Sequence, residues 1–331
     1  APVLLVVNKV DTQALEESRY DFYQLGIGEP IAISSANMMG LGDLLDEVLA
    51  LLPDAPTEEE GEGPHTIQIA VVGKPNVGKS TLVNRILGEE RVMVSDIPGT
   101  TRDAIDAQFE QEGQRYNIID TAGIRRKRAI EDASLERYSV VRSFDAIRRC
   151  DVALILIDAQ QGVTEQDTKI AGFVHEEGKA AVVIVNKWDA VEKQTGTLEV
   201  MRKQVIEQLK FMNYAQVLFI SAQEGTRVHR VLEMVRDAYA QASKRITTGV
   251  LNDVLADAQL AQQPPATGGR RLKIYYATQQ AVRPPTFVLF VNDETLMHFA
   301  YERYLENQFR KAFGFEGTPI RFILRERKKE N

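Results

Sequence analysis

Gly73-Lys74-Pro75-Asn76-Val77-Gly78-Lys79-Ser80 fits the pattern G-x-x-x-x-G-K-[ST]. Its chemistry is phosphate binding, because glycines let successive backbone N–H groups turn toward an anion and a helix starting there adds its positive dipole end. Lys79 is placed to bridge a β- and a γ-phosphate, the Ser80 hydroxyl to ligate Mg²⁺, and Thr81 continues the same helix start. Forty residues on, Asp120-Thr121-Ala122-Gly123 offers a carboxylate that can hold Mg²⁺ through water and a glycine N–H that can feel a γ-phosphate. Asn186-Lys187-Trp188-Asp189 ends in a carboxylate able to accept two hydrogen bonds from the N1–H and exocyclic amine of guanine, which adenine cannot donate. Ser221-Ala222 can present a backbone N–H to the base carbonyl. Taken singly, Asp120 reads equally as a turn residue, and Asp189 and Ser221 as helix N-caps. In this order the fragments describe one site for a guanine nucleotide and Mg²⁺.

Such a site needs strands that deliver these residues to one edge. Ile67 to Val72, Tyr116 to Ile119, Val152 to Ile157, Ala181 to Val185 and Val217 to Ile220 are continuous Val/Ile-rich runs, as expected of strands buried on both faces. Helical stretches such as Ser80 to Leu87 and Leu198 to Phe211 lie between them, so residues 66–243 predict an α/β fold with a doubly wound, mainly parallel sheet. Each motif then falls at a strand's carboxyl end, where such sheets bind ligands.

Residues 1–53 repeat the end of that pattern. Val3-Leu4-Leu5-Val6-Val7-Asn8-Lys9-Val10-Asp11 parallels Val182-Val183-Ile184-Val185-Asn186-Lys187-Trp188-Asp189, and Ile33-Ser34-Ser35-Ala36 parallels Phe219-Ile220-Ser221-Ala222, each followed by a helix. The first copy reads as the C-terminal part of a domain whose front is missing, so Asn8, Lys9, Asp11, Ser35 and Ala36 meet guanine only alongside a phosphate-binding loop upstream. Residues 54–65, rich in Pro, Gly and Glu, read as an acidic linker. Residues 244–331 abandon the alternation. A helix over Val250 to Leu260, strands over Leu272 to Ala277 and Thr286 to Val291, a helix from Glu294 to Phe313 and a strand over Ile320 to Leu324 predict a small α+β module.

The composition is ordinary for a globular chain of 331 residues, with net charge -7, which excludes a polycation that coats nucleic acid throughout. From Gly268 onward, however, twelve basic side chains face seven acidic ones, so a basic module on an acidic body points to a local anionic partner. One cysteine, Cys150, and four scattered histidines argue for a reducing cytosol and against structural zinc. The apolar runs are strand-sized and no leader opens the chain, which argues against membrane spans and secretion.

Together these motifs resemble the translation-factor class of P-loop GTPases. Pro98-Gly99-Thr100-Thr101-Arg102-Asp103 and Pro75-Asn76 are similar to its Era-like branch, and the internal repeat with the C-terminal module resembles the Der (EngA) family across the whole chain. The resemblance implies tandem G domains followed by a KH-like domain, GTP hydrolysis, and a cytoplasmic, monomeric role in assembling the large ribosomal subunit on its rRNA, with no DNA or membrane partner. It also implies that Thr101, rather than Thr100, is the switch-I Mg²⁺ ligand. Lys79, Thr101, Gly123 and Asn76 then carry catalysis, and the nucleotide contacts comprise Gly73 to Thr81, Asp120 to Ile124, Asn186 to Asp189, Ser221 and Ala222.

Ile124 stands where many small GTPases place a water-orienting Gln, and it has no polar group to align a nucleophile. The family resemblance gives Asn76 a K⁺ beside the β- and γ-phosphates, while Arg125-Arg126-Lys127-Arg128 reads as a solvated run rather than an internal arginine finger. In the KH-like module, Gly314-Phe315-Glu316-Gly317 has the letters of an RNA-clamping loop but follows the long helix, so it reads as a helix cap and turn. RNA contact would then use another surface, for which the basic end Arg321, Arg325, Arg327, Lys328 and Lys329 is one option and a plain solvated tail the other. Cys150 and Trp188 read as packing residues. Two other readings share these motifs: a nucleotide-gated RNA-binding scaffold whose hydrolysis is incidental, and an Era-like GTPase that serves tRNA modification.

Overall fold

The computed structural model describes residues 3–10, 21–22, 25–26, 29–34, 44, 65–89, 106–121, 143–264, 266–267 and 269–326. The chain divides into two compact units, residues 1–63 and 64–331.

In the first unit, strands β1 (Val6–Val7) and β2 (Ile31–Ala32) pair in parallel. The pairing continues past them, with Ile33 N donating to Val7 O at 2.9 Å and Val10 N to Ile33 O at 3.0 Å. Between these bonds the chain turns through Lys9 at φ +70°.

The second unit begins with β3 (Ile67–Val72), α1 (Lys79–Glu89), β4 (Ala107–Gln111), β5 (Gln114–Ile119) and β6 (Val152–Asp158). It continues through α2 (Glu165–Glu176), β7 (Ala180–Asn186), α3 (Thr197–Gln208), β8 (Gln216–Phe219) and α4 (His229–Ala242). The sheet order is β4-β5-β3-β6-β7-β8, parallel except for β4. Alternate residues of β3 feed opposite cores: Ile67, Ile69 and Val71 pack on one face, Ala70 and Val72 on the other. That two-sided burial is why the strands read as unbroken apolar runs. The sequence expectation missed β4, because an antiparallel edge strand needs only one anchor, here Phe109 stacked on Tyr116 with ring centres 5.1 Å apart. At the opposite edge, the outward carbonyls of β8 are covered by arginines: Arg202 donates to Val217 O at 2.9 Å and Arg227 to Phe219 O at 3.5 Å.

The tail module follows as α5 (Thr248–Ala261), the short pair β9 (Ala266–Thr267) and β10 (Arg270–Arg271), β11 (Ile274–Ala281), β12 (Thr286–Val291), α6 (Phe299–Phe313) and β13 (Arg321–Glu326). Strands β11, β12 and β13 form one sheet in that order. Its inner face, with Ala277, Phe287 and Leu289, packs on Leu251, Leu255, Leu305 and Phe309 of the helices. The helix expected over residues 294–313 is shorter. A 3₁₀ turn, Glu294–Leu296, is capped by Asp293, and α6 begins only after His298, whose Nδ1 accepts from Ala300 N at 3.2 Å.

Gly314 caps α6, its N–H donating to Arg310 O at 2.8 Å. The loop then meets the large sheet directly: Gly317 N donates to Tyr214 O and Gly317 O accepts from Ala181 N, both at 2.7 Å. A Cβ on Gly317 would lie 2.8 Å from Ala238 Cβ, so the close approach to α4 needs glycine. Among the described residues no helix is long and apolar enough to cross a membrane.

Candidate functional site

Strand β3 has β5 on one side and β6 on the other, both parallel to it, so the order of strand addition switches sides there and a crevice opens at the carboxyl edge. The loop from Gly73 to Ser80 fills its mouth. A Cβ on Gly73 would lie 2.5 Å from Leu156 O, and one on Gly78 2.2 Å from Asn186 Nδ2. Both neighbours are fixed, so glycine is required at both positions. Asn76, exposed at the loop's turn, adopts φ +60°. Lys79 Nζ arches over the loop and donates to the carbonyls of Gly73 and Lys74 at 2.6 Å. Its ammonium is thereby held at the place where the loop's backbone converges.

The side chain of Lys74 turns inward, away from that mouth. Its Nζ lies 3.4 Å from Asp167 Oδ2, with both side chains deeply buried. The same Asp167 oxygen accepts from Thr164 N at 3.0 Å and Thr164 Oγ1 at 2.6 Å, at the start of α2. Lys74 therefore offers a phosphate only its backbone, and its side chain pins the loop to α2. Asp167 was not foreseen as a site residue, although Thr164-x-x-Asp167 is the spacing of a helix capping box.

Asn186 is the strut of the site. Only 3% exposed, it donates from Nδ2 to Val77 O at 2.8 Å and accepts at Oδ1 from Ala222 N at 2.9 Å. One amide thus ties the phosphate loop to the segment after β8. Lys187 takes φ +64°, and its Nζ donates to Asp158 Oδ2 at 2.7 Å. Asp189 Oδ1 is buried with no hydrogen-bond partner among the described residues. It borders a pocket of about 150 Å³ lined by Gly78, Thr81, Asn186, Lys187, Asp189, Ala190 and Gln223. A buried carboxylate oxygen without a donor is costly unless a ligand supplies one. Guanine's N1–H and exocyclic amine suit that acceptor. Gln223 is a lining residue that no motif signalled.

Trp188, which reads both as a packing residue and as a member of the nucleotide-contact run, takes the packing role, edge-on against Phe219 at 4.9 Å in the core. Val77 buries its side chain in the core, so it serves the loop through its backbone, and its carbonyl accepts from Asn186. One expectation needs correction. The N–H groups of Ser221 and Ala222 are both used internally, on Thr226 O and Asn186 Oδ1, so in this arrangement neither points to a base.

Asp120 follows β5 with φ +58°, and its N–H donates to Asp106 Oδ1 at 2.9 Å. Asp106 is itself held by Arg149 Nη2 at 2.7 Å. This Arg149–Asp106 clamp holds the backbone of Asp120, the candidate Mg²⁺ ligand, and no motif signalled it. A Ser hydroxyl and one carboxylate form a sparse, hard donor set, which suits Mg²⁺, an ion that keeps several waters and takes the rest of its shell from phosphates. Among the described residues no group of three or more His, Cys, Asp or Glu side chains could hold a metal by itself. Thr101, Ala122, Gly123, Ile124 and the run from Arg125 to Arg128 lie outside the described residues. Cys150 is buried, and burial pushes its thiol up to about 12, so it stays protonated and inert.

In the first unit the register differs from expectation by one residue. Ile33 N to Val7 O and Val10 N to Ile33 O match Ile220 N to Val185 O and Trp188 N to Ile220 O, at 2.9 and 3.0 Å in both copies. Ile33 therefore corresponds to Ile220, and buried Ser34 corresponds to Ser221, where the sequence comparison had placed Ser35 and Ala36 opposite Ser221 and Ala222. Letter identity favoured Ser-Ala over Ser-Ser, whereas strand pairing fixes the register. Asp11, Ser35 and Ala36 lie outside the described residues.

The family described as 50S ribosome-binding GTPase matches residues 68–187, and that described as the KH-domain-like region of EngA bacterial GTPase enzymes, C-terminal, matches residues 245–325. Over 99% of its length the chain is 60% identical to GTPase Der of Acetivibrio thermocellus, covering 74% of that protein. GTPase Der of Ruminiclostridium cellulolyticum is 58% identical over 100% of the chain, again with 74% of the relative covered. Among solved structures the chain is similar to Era in complex with MgGDPNP and nucleotides 1506–1542 of 16S ribosomal RNA, with 20% identity, a TM-score of 0.42, and 79% of this chain and 93% of that one covered.

Proposed function

The chain belongs to the GTPase Der family, and from that premise we propose that its second unit binds GTP between the loop 73–80 and Asp189 and hydrolyses it to GDP and phosphate while serving assembly of the large ribosomal subunit. The observation that carries the base choice is the buried, donor-less Oδ1 of Asp189 beside the pocket. Ser80 and Asp120 would hold Mg²⁺, which when bound neutralises charge on the β- and γ-oxygens. Lys79 supplies a fixed positive charge to the same oxygens, and the Arg149–Asp106 clamp keeps the Asp120 backbone in place. Thr101 and the Gly123 N–H would complete the response to a γ-phosphate. Because Ile124 cannot orient water, we assign the missing transition-state charge to K⁺ held by Asn76, which lies exposed at the loop's turn. We read the protein as a cytoplasmic monomer acting on rRNA-containing particles.

Asp189→Asn should switch preference from GTP to XTP, because the amide donates where the xanthine 2-oxo group accepts. Calorimetric titration with both nucleotides checks this, and unchanged preference refutes the base assignment. Run in matched KCl and NaCl, turnover should be faster in KCl for the parent and equal for Asn76→Ala. Equal parental rates in the two salts would remove the K⁺ role. Cosedimentation with large subunits at fixed GTP or GDP tests the particle assignment.

A further inference from the structure

The outer face of the KH-like sheet holds a feature that neither the nucleotide site nor the core uses. The core takes Ala277 from β11, Phe287, Leu289 and Val291 from β12, and Phe322 and Leu324 from β13. Alternation therefore sends Tyr276, Thr278, Val288, Phe290, Ile323 and Arg325 to the other side. One end of that face is occupied. Arg321, paired with Thr286, donates to the carbonyl of Glu176, and Pro284 abuts Gly178 of the large domain. At the other end Tyr276, Phe290 and Arg325 lie side by side in register across all three strands. Tyr276 stacks on Phe290 with ring centres 4.2 Å apart and planes within 10°. Even so, Tyr276 remains 42% exposed, with Ile323 38% exposed nearby and Arg325 exposed at the row's end.

We propose that the row Tyr276–Phe290–Arg325 is a stacking platform for bases of single-stranded RNA, the surface through which the KH-like module touches its nucleic acid. The proposal rests on the ribosomal reading above and specifies where RNA would bind. Three observations select this occupant. The rings are already ordered on a rigid sheet, so a base adds to the stack without ordering new side chains. The strand residues on this face are aromatic, aliphatic, hydroxyl and guanidinium groups, with no carboxylate among the six, which suits a polyanion. The sequence from Gly268 onward carries the positive balance of an otherwise acidic chain. Arg325 is placed to meet a phosphate or to lie flat on the next base. A glycine clamp between helices is not required, in keeping with the use of Gly314 and Gly317 for capping and domain contact.

The test uses the full chain and a mixed-sequence 12-nucleotide RNA, single-stranded or as a duplex, followed by fluorescence anisotropy. The parent should favour the single strand. Tyr276→Ala should weaken single-strand binding about tenfold, Tyr276→Phe should retain it, and Arg325→Ala should reduce the slope of log K against log salt by about 0.7. GTP turnover, in which Tyr276 has no part, should be unchanged and reports that the variant is folded. If Tyr276→Ala binds the single strand like the parent, or if the duplex binds as well as the single strand, the platform is overturned. Cosedimentation of the parent with large subunits separates the two levels: association without sensitivity to Tyr276 refutes the platform alone, and no association in any nucleotide state refutes the ribosomal reading.

Discussion

The chain contains the same Asn-Lys turn twice, and the two copies differ in what surrounds them. At the backbone they agree: Lys9 and Lys187 both take left-handed angles, at φ +70° and +64°, and the strand-end hydrogen bonds match. At the side chains they part. Asn186 is buried and bridges Val77 O to Ala222 N, whereas Asn8 is exposed and its Oδ1 accepts from Lys9 N at 2.8 Å. The turn's shape is thus local, while the duty of its asparagine comes from the partners it reaches. A repeated motif predicts a repeated backbone more securely than a repeated site.

The sharpest way to break this contrast is to truncate both asparagines. Asn186→Ala leaves a buried carbonyl and a buried N–H unpaired and should cost about 2–4 kcal/mol in urea unfolding and most of the GTP affinity. Asn8→Ala should stay within about 0.5 kcal/mol, as an exposed substitution does. Equal losses would mean that the two turns share more than their backbone. A smaller effect comes from glycine at the lysines. Lys9→Gly should stabilise its turn by up to about 1 kcal/mol, because glycine accepts positive φ without strain. Lys187→Gly gains the same relief but loses the contact with Asp158, so it should come out neutral or worse. Exchange rates of the Val10 and Trp188 amides report each turn separately.

Acid pH gives the smallest effect, through a histidine that has no counterpart in the first unit. Residues 1–63 contain no histidine, whereas His175 in the second unit sits half-buried against the Tyr214 hydroxyl at 3.0 Å. Burial lowers its pKa from the ordinary 6.5; the fields of Glu306 and Glu176 raise it, and those of Arg321 and Arg310 lower it. The folded state therefore prefers the neutral ring. Its stabilising share is complete above about pH 6.5 and fades as pH falls below that value. The stability difference between the parent and His175→Gln should shrink from pH 8 to pH 5.5 in urea titrations, and a constant difference would contradict the neutral assignment.

Much of the second unit was legible because two-sided burial writes itself as runs of Val and Ile, and because the phosphate loop needs glycines at positions where a Cβ cannot fit. The strands at 67–72 and 286–291 match their expected limits. What sequence hid was pairwise and long-range. Nothing local joins Lys74 to Asp167, or Asp106 to Arg149, and β4 carries too little apolar surface to stand out. The Ser34 register was hidden for a related reason, since only hydrogen bonds between strands tell Ile33 from its neighbours. Trp188 packs as its large apolar ring suggests, between Lys187 and Asp189, which turn the other way.

The contact made by Gly317 bears on how the molecule melts. Both polar groups of one peptide residue in the KH-like module are hydrogen-bonded to the large domain, through Ala181 of β7 and the carbonyl of Tyr214. Pulling the modules apart would strand four backbone groups at once, two on each side. Heat should therefore take residues 64–331 through a single cooperative transition, with calorimetric and van't Hoff enthalpies in agreement. A fragment cut between α4 and α5 would lose more than its missing mass, because the large domain's own sheet would be left with an unsealed end.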